Sequence, residues 1–176
     1  MPEEPFQIRR AGAADAAALA ELAARTYTDT FADSTDPADL AAFLADSYGV
    51  PQQTRELTDS ETITFVAETA SGLAGFTQVR RGEAPPCVQG EAPVEIWRFY
   101  VDRTWHGRGV AQSLMAAAWD AARELGGRTF WLSVWEHNAR AMAFYAKFGF
   151  RDIGSKDFWV GSDRQTDRIM RTVVET

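Results

Sequence analysis

Trp97 to Ala111 reads W-R-F-Y-V-D-R-T-W-H-G-R-G-V-A, and a strand, a turn and the start of a helix follow one another within it. Trp97, Phe99 and Val101 alternate with Arg98 and Tyr100, and aromatic and β-branched residues favour strands, so a buried strand is expected. Asp102 stops the run. Gly107 and Gly109 bracket Arg108 in a tight turn. From there Val110, Leu114, Met115, Ala118, Trp119, Ala122 and Leu125 recur at helical spacing. A glycine-rich turn therefore lies where a strand becomes a helix. The first N–H groups of a helix have no partner inside it, and the helix dipole places partial positive charge there. Glycines keep side chains out of the way, which makes such a turn a ready phosphate site. Two spaced glycines alone are equally consistent with plain turn geometry. The turn is neither a G-x-x-x-x-G-K-[ST] loop nor a G-x-G-x-x-G dinucleotide turn.

A second stretch, Thr129 to Phe150, reads T-F-W-L-S-V-W-E-H-N-A-R-A-M-A-F-Y-A-K-F-G-F. Phe130 to Trp135 has the pattern of a strand, Asn138 can cap the helix after it, and Gly149 can close that helix. Together the two stretches carry a resemblance. H-G-R-G-V-A resembles the Q/R-x-x-G-x-G/A pyrophosphate turn of the GNAT superfamily of acyl-CoA N-acyltransferases. N-A-R-A-M-A-F-Y-A-K-F-G-F is similar to that superfamily's N-x-x-A-x-x-F-Y-x-x-x-G-F segment. They come in the right order, one helix and one strand apart. His106 departs from the pattern, standing where the family usually has Gln or Arg.

The chain has 176 residues, a length suited to one domain. Eighteen basic against twenty-five acidic residues leave a net charge of −7, which disfavours nucleic acid and anionic membrane as partners. No apolar run of about 18 residues suggests a membrane span. The start, M-P-E-E-P, lacks a signal-peptide pattern, so cytoplasmic residence is the default expectation. Cys87 is the only cysteine and has no histidine near it in sequence, an unpromising setting for a nucleophile.

Outward from the centre, Phe6 to Arg10 opens a first strand, and Asp15 is placed to cap a helix carrying Leu19, Ala23, Tyr27 and Phe31. Asp36-Pro37 starts another helix, with Leu40, Phe43 and Leu44 on its buried face and Gly49 at its end. Pro51 to Leu57 can add more helix. Ile63 to Ala67 and Leu73 to Arg81 read as an antiparallel pair, and Gly82 to Pro93 as a surface loop. Phe150 to Val160 and Arg168 to Val174 read as a closing pair of strands. The order suggests one mixed α/β sheet and matches what the resemblance implies, a single-domain α/β GNAT fold over residues 1–176. Its sheet is mixed and mostly antiparallel, of about seven strands flanked by helices, with a central parallel β-α-β crossover.

The resemblance implies acetyl-CoA as the acyl donor. The pyrophosphate would sit on His106, Gly107, Arg108, Gly109, Val110, Ala111 and Gln112. The backbone of Phe99, Tyr100 and Val101 would pair with the amide-rich pantetheine arm and supply an oxyanion donor. Asn138, Tyr145 and Lys147 complete the implied cofactor contacts. Tyr145 matches the family's tyrosine near the thiol. A phenol of pKa ~10 is a weaker acid than a thiol of pKa ~8.5, by about 2 kcal/mol, so a hydrogen bond to developing charge describes it better than proton donation. Glu95 matches the family's glutamate base, with Glu136 as its rival. Tyr27, Phe31, Glu95 and Trp135 would line the acceptor side. His106, His137 and Glu136 lack metal-ligand spacing, so no metal is expected.

R-T-Y-T-D-T-F-A in the first helix and F-W-V-G-S-D-R-Q-T-D-R-I-M near the end are similar to the PaiA-type branch, associated with polyamine acetylation. That likeness and the acidic balance suggest a small cationic amine as acceptor, with Asp29, Asp33, Glu83, Glu91 and Glu95 on flanking segments. A protein N-terminus, an amino acid or an antibiotic stays open as acceptor. So does an acyl-CoA-binding module without turnover, and a homodimer as the assembly.

Overall fold

The computed structural model describes residues 4–175. Seven strands and five α-helices follow in the order β1 (Phe6–Arg10), α1 (Ala16–Phe31), α2 (Pro37–Tyr48), α3 (Val50–Thr58), β2 (Thr62–Thr69), β3 (Gly72–Arg81), β4 (Pro93–Val101), α4 (Val110–Glu124), β5 (Thr129–Trp135), α5 (Ala139–Lys147), β6 (Arg151–Val160) and β7 (Asp163–Val173). The sheet order is β1-β2-β3-β4-β5-β7-β6. Among the described residues only β4 and β5 pair in parallel; every other neighbouring pair is antiparallel. This is the mixed sheet expected from the sequence, with the parallel step across α4.

Helices cover both faces. Helix α4 buries Val110, Leu114, Met115, Ala118 and Ala122, the stripe read from its spacing. Met115, Ala118 and Ala122, with Tyr145 of α5, pack on Val94, Ile96, Phe130, Leu132 and Val134, while Val110 and Leu114 pack on Ala67 and Ala74. On the opposite face, Leu19, Leu22, Ala23, Tyr27 and Phe31 of α1 meet Leu40, Tyr48, Val66 and Phe76. A fully buried aliphatic or aromatic side chain contributes about 1.5–3 kcal/mol, so these three clusters carry most of the fold's stability.

Local signals explain the helix ends. Asp36 accepts from the N–H groups of Ala38 and Asp39, and Pro37 opens α2. Asn138 accepts from Ala141 N–H at the start of α5, and Gly149 turns the chain at φ +86°. Asp15 behaves differently from expectation. Its carboxylate accepts from Gly12 N–H and from Arg9, and caps a short 3-10 turn ahead of α1 rather than α1 itself. Strand β7 also begins earlier than its composition suggests. Gly161, at φ +59°, and Ser162 make a two-residue turn, and Val160 pairs with Asp163 directly across it. The polar residues 163–167 are held as strand by that pairing.

A larger correction concerns Trp97. Gln78 pairs with Arg98 and Val79 with Ile96, so Trp97 is an extra residue, a bulge in β4. It breaks the expected alternation: Phe99 and Val101 face α4 and α5, while Trp97 stacks with Arg98 at 4.0 Å from guanidinium to ring. The residues most buried in this strand are Val94, Glu95, Ile96 and Arg98. Arg98 is sustained by a charge-assisted bond to Glu56 of α3 and by Gln78 Oε1 at 2.8 Å.

Candidate active site

The bulge positions the site. The parallel ladder joins Pro93–Ile96 to Thr129–Leu132 and stops there. Beyond it β4 stays with β3 as far as Val101, and β5 stays with β7 as far as Trp135. The sheet thus splits in the middle. The opening is a cleft of about 660 Å³, lined by Phe99, Tyr100 and Val101 on one side and Ser133, Val134 and Trp135 on the other. Strand edges released from a ladder present backbone N–H and C=O groups to whatever enters, which suits an amide-bearing ligand.

At one end of the split lies the glycine turn. Gly107 and Gly109 have φ of +78° and +83°, a region that side chains with a Cβ resist. A Cβ built on either would meet no atom within 4 Å, so it would project into open space. Ser113 N–H makes the first bond of α4, to Gly109 O, and Gly109 provides no side-chain cap. The N–H groups of Val110, Ala111 and Gln112 therefore face the space that the glycines leave clear. This arrangement fits a pyrophosphate through backbone alone. Val110's own side chain is core, Arg108 leans over Trp105, and Arg108, Gln112 and Lys147 are exposed outside the cleft lining.

His106 has a structural part here. Its Nε2 lies 2.9 Å from Val101 O and its Nδ1 lies 2.8 Å from Arg140 Nη1. An arginine can only donate, so Nδ1 accepts and Nε2–H donates to the end of β4. The neutral ring thereby ties β4 to the first turn of α5.

Tyr145 stands on α5 with its ring edge-on to Phe99, 6.0 Å between centroids, and lines the cleft. Burial alone pushes its phenol up, which makes it a poorer acid and a neutral hydrogen-bond donor at ordinary pH. Asn138 also lines the cleft while capping α5. Glu95 is buried at the base of β4, and its Oε2 accepts from Arg80 Nε at 2.8 Å. Arg80 in turn lies 3.6 Å over the Trp97 ring. The expected base is thus held by a cation. Glu136 is exposed, lies 3.5 Å from His137, and is not part of the cleft lining.

The far end of the cleft is made of side chains from widely separated elements. Tyr27 and Phe31 come from α1, Phe43 from α2, Trp135 from β5, Phe158 from β6 and Asp167 from β7. Tyr27 stacks on Phe43 at 4.6 Å, Phe31 lies 5.5 Å from Trp135, and Phe43 meets Phe158 edge-on at 5.8 Å. Of the acidic residues expected to flank this side, Asp29 and Glu95 line the cleft. Glu83 lines a separate polar pocket, Glu91 lies 3.9 Å from Arg128, and Asp33 is exposed away from the lining. Asp167 was not singled out by sequence. Its signal is the alternation Gln165, Asp167, Ile169, all buried, in which a carboxylate occupies the inward phase of a strand. Cys87 packs near Gly154 and takes no part in the cleft.

Residues 16–150 match the model of the acetyltransferase (GNAT) family. The chain is 30% identical over 156 residues to an uncharacterised N-acetyltransferase of Mycobacterium tuberculosis, covering 89% of this chain and 96% of that protein. It is 30% identical to the N-alpha-acetyltransferase RimI of the same organism, covering 86% of this chain and 82% of that one. Over 89 residues, 49% of this chain and 57% of the relative, it is 32% identical to a spermine/spermidine N(1)-acetyltransferase of Bacillus subtilis. Its fold is similar to the crystal structure of a PaiA N-acetyltransferase from Thermoplasma acidophilum in complex with coenzyme A, at TM-score 0.76 and 21% identity, covering 96% of this chain and 99% of that one.

Proposed function

The chain belongs to the acetyltransferase (GNAT) family, and from that premise we propose that it transfers an acetyl group from acetyl-CoA to a polyamine or another small cationic amine. The observation that carries the acceptor class is the far end of the cleft, where Asp167 stands with five aromatic side chains, Tyr27, Phe31, Phe43, Trp135 and Phe158, while Asp29 and Glu95 lie elsewhere in the same lining. Carboxylates attract a polycation, and aromatic faces and edges pack its methylene segments. The likeness of half the chain to a spermine/spermidine acetyltransferase supports the same class.

Acetyl-CoA, when bound, supplies a thioester whose carbonyl carbon is the electrophile. The N–H groups of Val110, Ala111 and Gln112 would hold its pyrophosphate, and the free edge of Phe99 to Val101 would align its pantetheine arm. A backbone N–H on that edge would serve as donor to negative charge developing on the thioester oxygen. The Tyr145 hydroxyl would offer a hydrogen bond to the leaving sulfur. The amine must arrive neutral, and an amine of pKa ~10.4 is neutral to only about one part in 2,500 at pH 7, so the site has to remove a proton.

A second reading follows from the similarity to RimI, in which the acceptor is a protein N-terminus. The test is initial rates of thiol release from acetyl-CoA with spermidine, spermine, putrescine, a lysine peptide and an N-terminal peptide, at two salt concentrations. Spermidine or spermine is expected to be preferred, with a KM that rises with salt because exposed charge pairing is screened within ~8–10 Å. A clear preference for the N-terminal peptide, or a spermidine KM indifferent to salt, defeats the polyamine assignment.

A further inference from the structure

Resting on the amine-acceptor reading above, we propose that Asp167 is the carboxylate that receives the cationic head of the acceptor and takes its proton, with the Tyr27 hydroxyl as the second polar contact. Three carboxylates line the cleft. Glu95 accepts a hydrogen bond from Arg80 at 2.8 Å, and Asp29 lies 3.9 Å from Arg103. Asp167 is 7% exposed and is in no ion pair among the described residues. Lys156 is its register neighbour on β6, but the ammonium lies over the Trp131 ring, 5.6 Å from its centroid.

A buried carboxylate with no cation in direct ion-pair contact is costly and is retained where something else depends on it. An arriving ammonium supplies that contact. Tyr27 strengthens the assignment independently. It is 2% exposed, lines the same cleft, and its hydroxyl is buried with no hydrogen-bond partner among the described residues. The unpartnered Tyr27 hydroxyl and the unpaired Asp167 carboxylate line one cavity together with Phe31, Phe43, Trp135 and Phe158. Burial also raises the Asp167 carboxyl above the ordinary aspartate value, against the opposing pull of Lys156 and the Ser133 hydroxyl, and a raised value suits a proton acceptor.

The protons balance as follows. The ammonium gives one proton to the Asp167 carboxylate. The neutral nitrogen bonds to the thioester carbon and the carbon–sulfur bond breaks. The second nitrogen proton ends on the released thiol, and Asp167 returns its proton to solvent.

The test compares Asp167→Asn, Tyr27→Phe and Glu95→Gln with wild type, using acetyl-CoA with spermidine from pH 7 to 9. Asp167→Asn is expected to lower kcat/KM for spermidine about 100-fold at pH 7 while leaving acetyl-CoA affinity within about two-fold by calorimetry. The deficit should shrink as pH rises, because the free-base fraction of a pKa ~10.4 amine grows about 100-fold between pH 7 and 9. The charged and titratable groups facing Asp167 are Lys156 from β6 and Tyr27 from α1, and the Tyr27 phenol, pushed up by burial, stays neutral over this range. Tyr27→Phe should cost about ten-fold in KM, the loss of one hydrogen bond.

Stability supplies a second readout. A carboxyl whose value is raised by folding favours the fold at low pH and loses that contribution as pH rises through its folded value, so at pH 7 its charge is a burden. Asp167→Asn should therefore melt no lower than wild type. An Asp167→Asn deficit that is absent, or that is constant across pH, overturns the proposal; so does a larger loss from Glu95→Gln. Either result leaves the acetyltransferase reading standing. Conversely, a wild type that releases no thiol with any amine but binds spermidine calorimetrically, with that binding lost in Asp167→Asn, supports the site and defeats the transfer reading.

Discussion

The two ends of the cleft are built from different material. The end proposed for the donor is backbone: two glycines at positive φ, three helical N–H groups and a strand edge next to a bulge. The end proposed for the acceptor is side chain: Tyr27, Phe31, Phe43, Trp135, Phe158 and Asp167, brought from α1, α2, β5, β6 and β7. Backbone recognition suits a ligand portion that does not change, since amides and left-handed turns tolerate few substitutes. Side-chain recognition leaves the acceptor free to differ between relatives of one fold.

The largest effect should come from the side-chain framework beneath the cleft. Arg98 and Glu56 are both buried, and removing one partner leaves an uncompensated charge. Glu56→Ala should destabilise the fold by about 3–5 kcal/mol in denaturant unfolding. A loss near zero would mean that side chains do not hold this half together.

Next is Tyr145, where the two ends meet. Tyr145→Phe keeps the ring packed against Phe99 and removes only the hydroxyl. It should raise the barrier by about 2–4 kcal/mol, read in kcat, with little change in acetyl-CoA affinity. A wild-type rate would make Tyr145 a core residue and nothing more.

Phe158→Ala tests whether the aromatic wall serves the acceptor alone. Spermidine KM should rise about five- to ten-fold, a cost of about 1–1.4 kcal/mol, while acetyl-CoA affinity holds. An equal loss in both would show that the ends are coupled.

The smallest effect is expected at His106. A glutamine amide can donate to Val101 O and accept from Arg140 as the neutral imidazole does. His106→Gln should leave acetyl-CoA affinity within about two-fold. A loss beyond ten-fold would place donor binding on a side chain after all.

The same difference in material decides what could be read without a structure. The glycine turn was legible because H-G-R-G-V-A is local: positive-φ glycines and a helix start are contiguous in sequence. Asn138 and Gly149 were legible as helix punctuation for the same reason. The Trp97 bulge was not, since an extra residue in a strand is defined by its partner β3, far away in sequence. Nor was the engagement of Glu95, whose cation comes from β3, or the inward position of Asp167, which depends on where β7 pairs with β5. The acidic residues chosen by proximity in sequence scattered, with Glu83, Glu91 and Asp33 falling outside the cleft.

The most direct test of backbone-built donor binding is a calorimetric titration of acetyl-CoA into wild type and Gly109→Val. Gly109 has φ +83° and open space where a Cβ would go, so folding suffers only through the left-handed backbone, about 1–2 kcal/mol. With the variant's folded state verified by its unfolding transition, acetyl-CoA Kd is predicted to rise about 100-fold, or about 2.7 kcal/mol. A folded Gly109→Val protein that binds acetyl-CoA as tightly as wild type would contradict the account.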